Sequence, residues 1–507
     1  MPIISIDTKY LKDKFDLDLE IEDLPKIKAE LDSIDGNIWK IEVKDTERID
    51  LWSVFGIARE LKGIKGIEEG LPDYKIKEGN YVLYNYSRNR PYVAAAVVRN
   101  VSMDKETLKY IIQMQETLAK NYGRDRKYVA IGIHNFKMIK FPLYYKEVDP
   151  NTKFVPLGYN KELTLKEILE TEKGKKYKHL VKYYEVLMDS EGKILSFPPI
   201  INSNTVGRIR EDTTDLFIDV TGIDERRVHR TLNAIVANLL EIAEYAETVK
   251  IIKNNEEKVY KIEKRTMEVN WKDIEDWLGI KVEPELLRKA RYDIDGNKVS
   301  WLTYRFDIYD FTDIAEDYMI IKGYDYLPYQ EYKSHGQFNK TIQLYNDIRK
   351  LLLGLGATEV YTIALTDKGI IPIKNPVSSN YSYLRDSLIH PLLKFLANNQ
   401  YKAPIEIFEF GRIYREKPYW SIVYLSLSED SDYNKAASKL AFLLKELGIN
   451  YEIKEGKHKY FLEGRTAEFV NDKFKAYAGE IDPNVLEKYG IVFPVSGFEI
   501  IMENLNL

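Results

Sequence analysis

The sequence predicts a multidomain protein of α/β and α+β type, and three observations predict it. At 507 residues the chain exceeds what one hydrophobic core holds, since a domain averages roughly 150 residues. Its hydrophobic fraction is 44% and its charged fraction 31%, against about 25% charged in an average protein, so a globular chain with a strongly charged surface is expected. Along it, β-rich runs alternate with amphipathic runs of helical period, separated by turn-rich segments.

Four blocks follow in order. The first, 1–89, carries a strand over Ile38–Val43 and a helix over 50–62 with Asp50 as N-cap, and GLPDYKIKEGN after it reads as a linker. The second, 90–250, alternates the strands YVAAAVV, YVAIGI and LFIDV with helices at 105–122 and 228–245, an α/β pattern. The third, 253–329, follows a charged stretch and is a small helix–strand domain, with helices either side of WLTYRFDIY. The fourth, 335–507, opens with an amphipathic helix at 341–353 stopped by Gly354 and Gly356. It continues through VYTIALT, a helix at 388–398 and the strand IEIFEFGRIY, an antiparallel α+β pattern. Arg48-Ile-Asp50 and Arg305-Phe-Asp307 each close a β-like run and introduce a helix ending at a Lys-Gly pair, 62–63 and 322–323. The first and third blocks therefore share a fold or coincide by chance, Asp being a common helix cap.

Composition excludes much chemistry. Cysteine is absent, which removes disulfides, thiolate zinc sites, iron–sulfur clusters and cysteine nucleophiles. The six histidines, His134, His179, His229, His335, His390 and His458, share no helix face, so a bound metal is expected to be a hard, oxygen-ligated one. With 75 basic and 80 acidic residues the net charge is −5, and a nucleic-acid partner has to be met by local patches. Apolar stretches such as 92–98 are far shorter than the roughly 18 residues of a membrane helix, and no basic-then-apolar leader opens the sequence. The expected location is the cytoplasm, with no membrane partner.

No phosphate-binding GxxxxGK[ST], complete dinucleotide fingerprint or GxSxG elbow occurs, so no nucleophile declares itself. What stands out is polar clusters. In LFIDVTG, strand alternation puts Phe217, Asp219 and Thr221 on one face; alternatively, Asp219 and Thr221 begin a turn and cap the next helix. Asp307, Asp313, Glu316 and Asp317 place three carboxylates on one helical face behind a fourth, a spacing that suits magnesium, but Asp313-Ile-Ala-Glu316 also reads as a capping box. GRDRK (123–127) is an RNA-phosphate contact or a solvated charge run. His134 and His229 read as packing or surface residues, having no orienting partner in sequence.

Several strings carry a resemblance: RPYVAAAVVRNV (90–101), QETLAKNYGRDRKYVAIGIHNF (115–136), KFVPLG (153–158), FPPIINS (197–203), LFIDVTGID (216–224), RFDIYDFTDIAEDYMIIKGYDYLP (305–328) and NPVSSNYSYLRDSLIHPLL (375–393). In this order they resemble the β subunit of phenylalanyl-tRNA synthetase in its shorter archaeal and eukaryotic-cytosolic form, over nearly the whole chain, with a shortened first block.

The resemblance implies a partner α subunit that charges tRNA(Phe) using ATP, in a tetramer of two α and two β. It implies an editing domain in the second block that hydrolyses tyrosyl-tRNA(Phe), with Ser196, Asn202, Asp219 and Thr221 in its pocket and Leu187 as an apolar wall. It implies Mg²⁺ at Asp307, Asp313, Glu316 and Asp317, shared with the partner, and a C-terminal core like a class II synthetase without its catalytic motifs. Tyr414-Arg415-Glu416 half resembles one such motif, but the only later arginine is Arg465, so the second phosphate-binding cation is missing. Two rival readings remain: a scaffold and tRNA-binding subunit without editing, and a freestanding hydrolase that edits without a partner.

Overall fold

The computed structural model describes residues 2–329, 331, 336 and 340–503. The chain divides into two units, Met1–Gln330 and Glu331–Leu507; His335, where the fourth block was expected to open, lies outside the described residues.

A ten-stranded sheet is the centre of the first unit. It does not wait for residue 90. Ile76–Asn85 already pairs in parallel with Tyr245–Lys253 and with Leu143–Glu147, so the expected linker ends in a strand and the expected boundary at 89 falls inside the sheet. The far boundary shifts too, because Glu256–Val259 returns antiparallel on Tyr245–Lys253. Asn254 and Asn255 turn that hairpin with φ 51° and 64°, the left-handed pair of a tight hairpin turn. The remaining pairings are antiparallel, so the sheet is mixed rather than a parallel α/β array. Helices Lys105–Thr117 and Glu225–Leu240 bring Met114, Leu232 and Ile235 into one core with Ala94, Ala96, Ile218 and Val220.

The first and third blocks have the same fold. Each runs strand, helix, 3-10 turn, strand, strand, helix: Ile3–Asp7, Thr8–Phe15, Pro25–Ile27, Ala29–Asp35, Ile38–Val43 and Val54–Ile64 in one, and Lys264–Glu268, Trp271–Leu278, Pro284–Ala290, Asp293–Asp295, Lys298–Leu302 and Phe311–Lys322 in the other. Both sheets place the third strand between the first and second. Both hairpins turn on Ile-Asp-Gly-Asn, at 34–37 and 294–297, with Gly36 at φ 58° and Gly296 at φ 60°, a conformation open to glycine. In both, the arginine after the last strand binds the aspartate two residues on: Arg48 Nε to Asp50 Oδ1 at 3.0 Å and Arg305 Nε to Asp307 Oδ1 at 2.9 Å.

Asp50 therefore is not the helix cap; Ser53 is, accepting from Gly56 N. Asp50 is fully buried and also meets Arg59 Nη2 at 2.6 Å. Burial would raise its pKa, but the guanidiniums of Arg48 and Arg59 overcome this and hold it at about 2.

The second unit has a seven-stranded sheet in which Ile405–Tyr414, Pro418–Leu427, Val495–Met502, Phe474–Ile481, Phe461–Asn471 and Glu452–Glu455 follow one another antiparallel. Helices Lys340–Gly354 and Tyr433–Glu446 pack Ile348, Leu352 and Leu440 against one side, and Ile389–Asn399 packs Leu392 and Leu396 in a second core.

Asp50→Ala leaves two buried arginines sharing Glu60 alone, at 3.3 and 3.5 Å, and is expected to destabilise the first unit by about 3–5 kcal/mol, read from urea denaturation of the full chain. A change under about 1 kcal/mol would contradict the role given to the carboxylate. The pH dependence has a fixed sign. Because the folded pKa of about 2 lies below the ordinary 3.8, the contribution is complete above about pH 4 and is lost as pH falls towards 2.

Candidate functional site

Strand Leu216–Gly222 runs between Tyr92–Arg99 and Val129–Asn135, antiparallel to both, and places Asp219 opposite Ala95 and Gly132, and Thr221 opposite Val93 and Ala130. Its even-numbered apolar residues enter the helix-covered core. Phe217, Asp219 and Thr221 take the other face. A cavity of about 280 Å³ lies there, just under the roughly 300–1,000 Å³ usual for small-molecule sites. Ser196, Asn202, Asp219 and Thr221 all line it. Leu187 lies beside them: it pairs with Ser196 on one neighbouring strand and Tyr145 on the other, and is buried in an apolar cluster with Leu143, Leu195 and Phe217. The turn-and-cap alternative fails, because the strand continues to Gly222 and the next helix is capped by Asp224, which accepts from Arg227 N at 3.1 Å.

A carboxylate as buried as Asp219, 2% exposed, requires a partner. His134 supplies it, with Nε2 2.9 Å from Asp219 Oδ1. A Cβ on the intervening Gly132 would stand 2.2 Å from Asp219 Oδ1 and 2.5 Å from His134 Nε2, so the missing side chain is the space in which the two meet. Thr221 Oγ1 accepts from Arg90 Nε at 3.2 Å, while Arg90 Nη2 donates to the Thr221 carbonyl at 2.9 Å. The Thr221 hydroxyl proton is thereby left for the cavity. Burial draws the Arg90 pKa down to about 10, against an opposing pull from Tyr145 and Glu185. Ser196 Oγ is buried at the wall with no hydrogen-bond partner among the described residues. A ligand hydroxyl reaching it would relieve about 1–3 kcal/mol of unmet hydrogen bonding.

His134 is the residue that sequence reasoning set aside. The signal for it was the alternation Ala130, Gly132, His134, which faces the same side as Asp219 once the two strands pair.

The four carboxylates expected to share magnesium have separate tasks. Arg305 Nη2 lies 2.6 Å from Asp307 Oδ2 and 2.5 Å from Asp317 Oδ2. Asp317 also accepts from the Tyr292 hydroxyl at 2.7 Å and faces Lys28 Nζ at 3.4 Å. Asp313 accepts from the backbone N–H of Tyr309 and Asp310, completing a capping box whose N-cap is Asp310, three residues earlier than expected. Glu316 is exposed, 3.5 Å from Lys28. Among the described residues no group of three or more His, Cys, Asp or Glu side chains is arranged to hold a metal ion. The donors are committed to cations and amides of this chain, and the expected magnesium cage does not fit them.

Residues 328–502 match the family model described as the phenylalanyl tRNA synthetase beta chain CLM domain. The phenylalanine–tRNA ligase β subunit of Pyrococcus furiosus is 38% identical, with 94% of each chain covered, and that of Methanocaldococcus jannaschii is 36% identical with 90% of each covered. An N-terminal fragment of the phenylalanyl-tRNA synthetase β subunit from Pyrococcus horikoshii, known from a crystal structure, matches with a TM-score of 0.61 at 38% identity, covering 64% of this chain and all of the fragment.

Gly132→Ala is expected to force Asp219 and His134 apart and to lower stability by about 1–3 kcal/mol, measured as a fall in the thermal midpoint. An unchanged midpoint would show that the pair does not depend on the gap.

Proposed function

The chain belongs to the phenylalanine–tRNA ligase β-subunit family, and on that premise we propose that it is the proofreading subunit of an enzyme whose α subunit charges tRNA(Phe) with phenylalanine using ATP. Two copies of each subunit assemble in the cytoplasm, and this chain hydrolyses the tyrosyl ester on tRNA(Phe).

The cavity wall carries the reading. Phenylalanine and tyrosine differ by one hydroxyl, which an apolar synthetic pocket rejects only weakly. A second pocket has to favour the phenol, and a buried polar group that only the phenol satisfies does so. Ser196 Oγ is such a group, and Asp219 and Thr221 line the same cavity with an acceptor and a donor. Cysteine is absent from the chain, and no histidine is among the described residues lining the cavity. Attack therefore falls to water, held by Asp219 and Thr221 and assisted by a ribose hydroxyl of the RNA. Asp219 recognises and orients, with His134 fixing its carboxylate.

The second unit favours the partner as the seat of ATP chemistry. Arg415 Nε donates to the Asp386 carbonyl at 3.1 Å, and Arg465 pairs with Glu480 at 3.0 Å on the surface. Neither is free to clamp a nucleotide phosphate.

Asp219→Ala is expected to lower hydrolysis of tyrosyl-tRNA(Phe) by the coexpressed complex at least tenfold, while phenylalanine charging stays within about twofold. Equal loss of both would make Asp219 structural, and unimpaired editing would remove it from the pocket. The purified chain alone is expected to show no phenylalanine-dependent exchange between ATP and pyrophosphate; robust exchange would overturn the assignment of synthesis to the partner.

A further inference from the structure

The GRDRK segment has an unusual backbone. After a π-helical turn over Leu118–Tyr122, three consecutive residues, Arg124, Asp125 and Arg126, take left-handed conformations with φ 46°, 50° and 63°. None is glycine, so each holds its conformation against steric preference. The effect is to turn Arg126 inward. Its Nη1 donates to the Pro199 and Ile200 carbonyls at 3.1 and 3.0 Å, its Nη2 to Glu116 at 2.9 Å, and its guanidinium lies 4.7 Å from the centre of the Tyr177 ring. Arg126 thereby ties three separate segments together at the side of the cavity that Asp219 lines.

The charges lining the cavity are Arg126, Lys173, Arg208, Glu116 and Asp219. Arg126 is neutralised by Glu116, and Asp219 is bound to His134. The lining holds three cations against two carboxylates, and Lys173 and Arg208 are the two cations without a carboxylate in ion-pair distance among the described residues. Lys173 is exposed at the cavity rim and has no hydrogen bond or ion pair among the described residues. Arg208, also exposed, donates from Nη1 to the Asn204 side chain at 2.9 Å and has no carboxylate partner among the described residues. Arg124, Lys127 and Lys175 are exposed as well, and Lys176 lies 3.9 Å from Asp125, bringing the 172–177 helix against the left-handed turn. In a chain of net charge −5, a cavity with surplus positive charge is built for an anionic ligand.

We propose that this basic lip receives the 3′ end of the RNA, with Lys173 and Arg208 holding the last internucleotide phosphate. The inference rests on the proofreading reading and deepens it. An aminoacyl ester on the terminal ribose reaches the cavity floor only with that phosphate behind it, and the phosphate is the nearest negative charge to the ester. An unpartnered ammonium at the wall gains a counterion when the RNA binds, which fixes the depth of insertion without touching the reacting ester.

The test uses the coexpressed complex and two substrates, tyrosyl-tRNA(Phe) and 3′-O-tyrosyl-adenosine, which has no phosphate. Lys173→Gln is expected to raise KM for tyrosyl-tRNA about tenfold with kcat within twofold, to leave hydrolysis of tyrosyl-adenosine unchanged, and to reduce the salt dependence by about 0.7 in log–log slope. Lys173→Arg restores most of the affinity. Equal slowing of both substrates, or no change in either, would overturn the phosphate contact. Should the unmodified complex hydrolyse neither substrate, the proofreading reading fails, and the lip is judged by anisotropy of a labelled ACCA ribonucleotide on the full chain. There Lys173→Gln weakens binding about tenfold if the lip holds, and an unchanged affinity refutes it.

Discussion

Asp50, buried between two guanidiniums, is the charge on which the first unit depends. Arg59 Nη1 also donates to Asn238 Oδ1 at 3.0 Å, and Asn238 Nδ2 donates back to the Asp50 carbonyl at 3.0 Å. Asn238 belongs to the helix Glu225–Leu240, which backs the strand carrying Asp219 and Thr221. The position of the cavity wall thus follows from an ion network on the other side of the sheet. Approach is close enough that a Cβ on Gly56 would stand 1.8 Å from the Asp50 carbonyl oxygen.

The same network explains why the aspartates of the third block are not free. Arg48 and Arg305 repel each other across the two repeats, so each buried guanidinium needs its own carboxylates. Asp50 and Glu60 serve Arg48, and Asp307 and Asp317 serve Arg305. Lys28 crosses from the first repeat to Asp317, and Arg291 crosses from the second to Glu68. Carboxylates grouped on one helix by sequence are in this way divided among cations that sequence spacing does not show.

Local signals were legible in the sequence and long-range partners were not. Strand alternation in LFIDVTG set Asp219 and Thr221 on one face, and the helices expected at 341–353 and 388–398 fell within about a residue of their ends. The strand Ile76–Asn85 was missed because Gly79 and the charges of KIKEGN look like a linker; pairing on both sides overrides that composition. Leu187 pairs with Ser196 and packs against Phe217 behind the lining residues, an apolar position beside the pocket that the sheet's own packing also explains. His134 lies 85 positions from Asp219, a contact that only the pairing of two strands reveals.

What distinguishes the cavity is unmet polarity at its wall: Ser196 without a hydrogen-bond partner among the described residues, Thr221 with a proton to donate, Asp219 held by His134 over a glycine. Such a wall discriminates by penalising the ligand that leaves it unpaired. The most direct measurement is calorimetric titration of the full chain with the non-hydrolysable amide 3′-tyrosylamino-3′-deoxyadenosine and its phenylalanyl counterpart. The account predicts that the tyrosyl compound binds about tenfold or more tightly and that Ser196→Ala removes most of the difference. Equal affinities for the two compounds would contradict it.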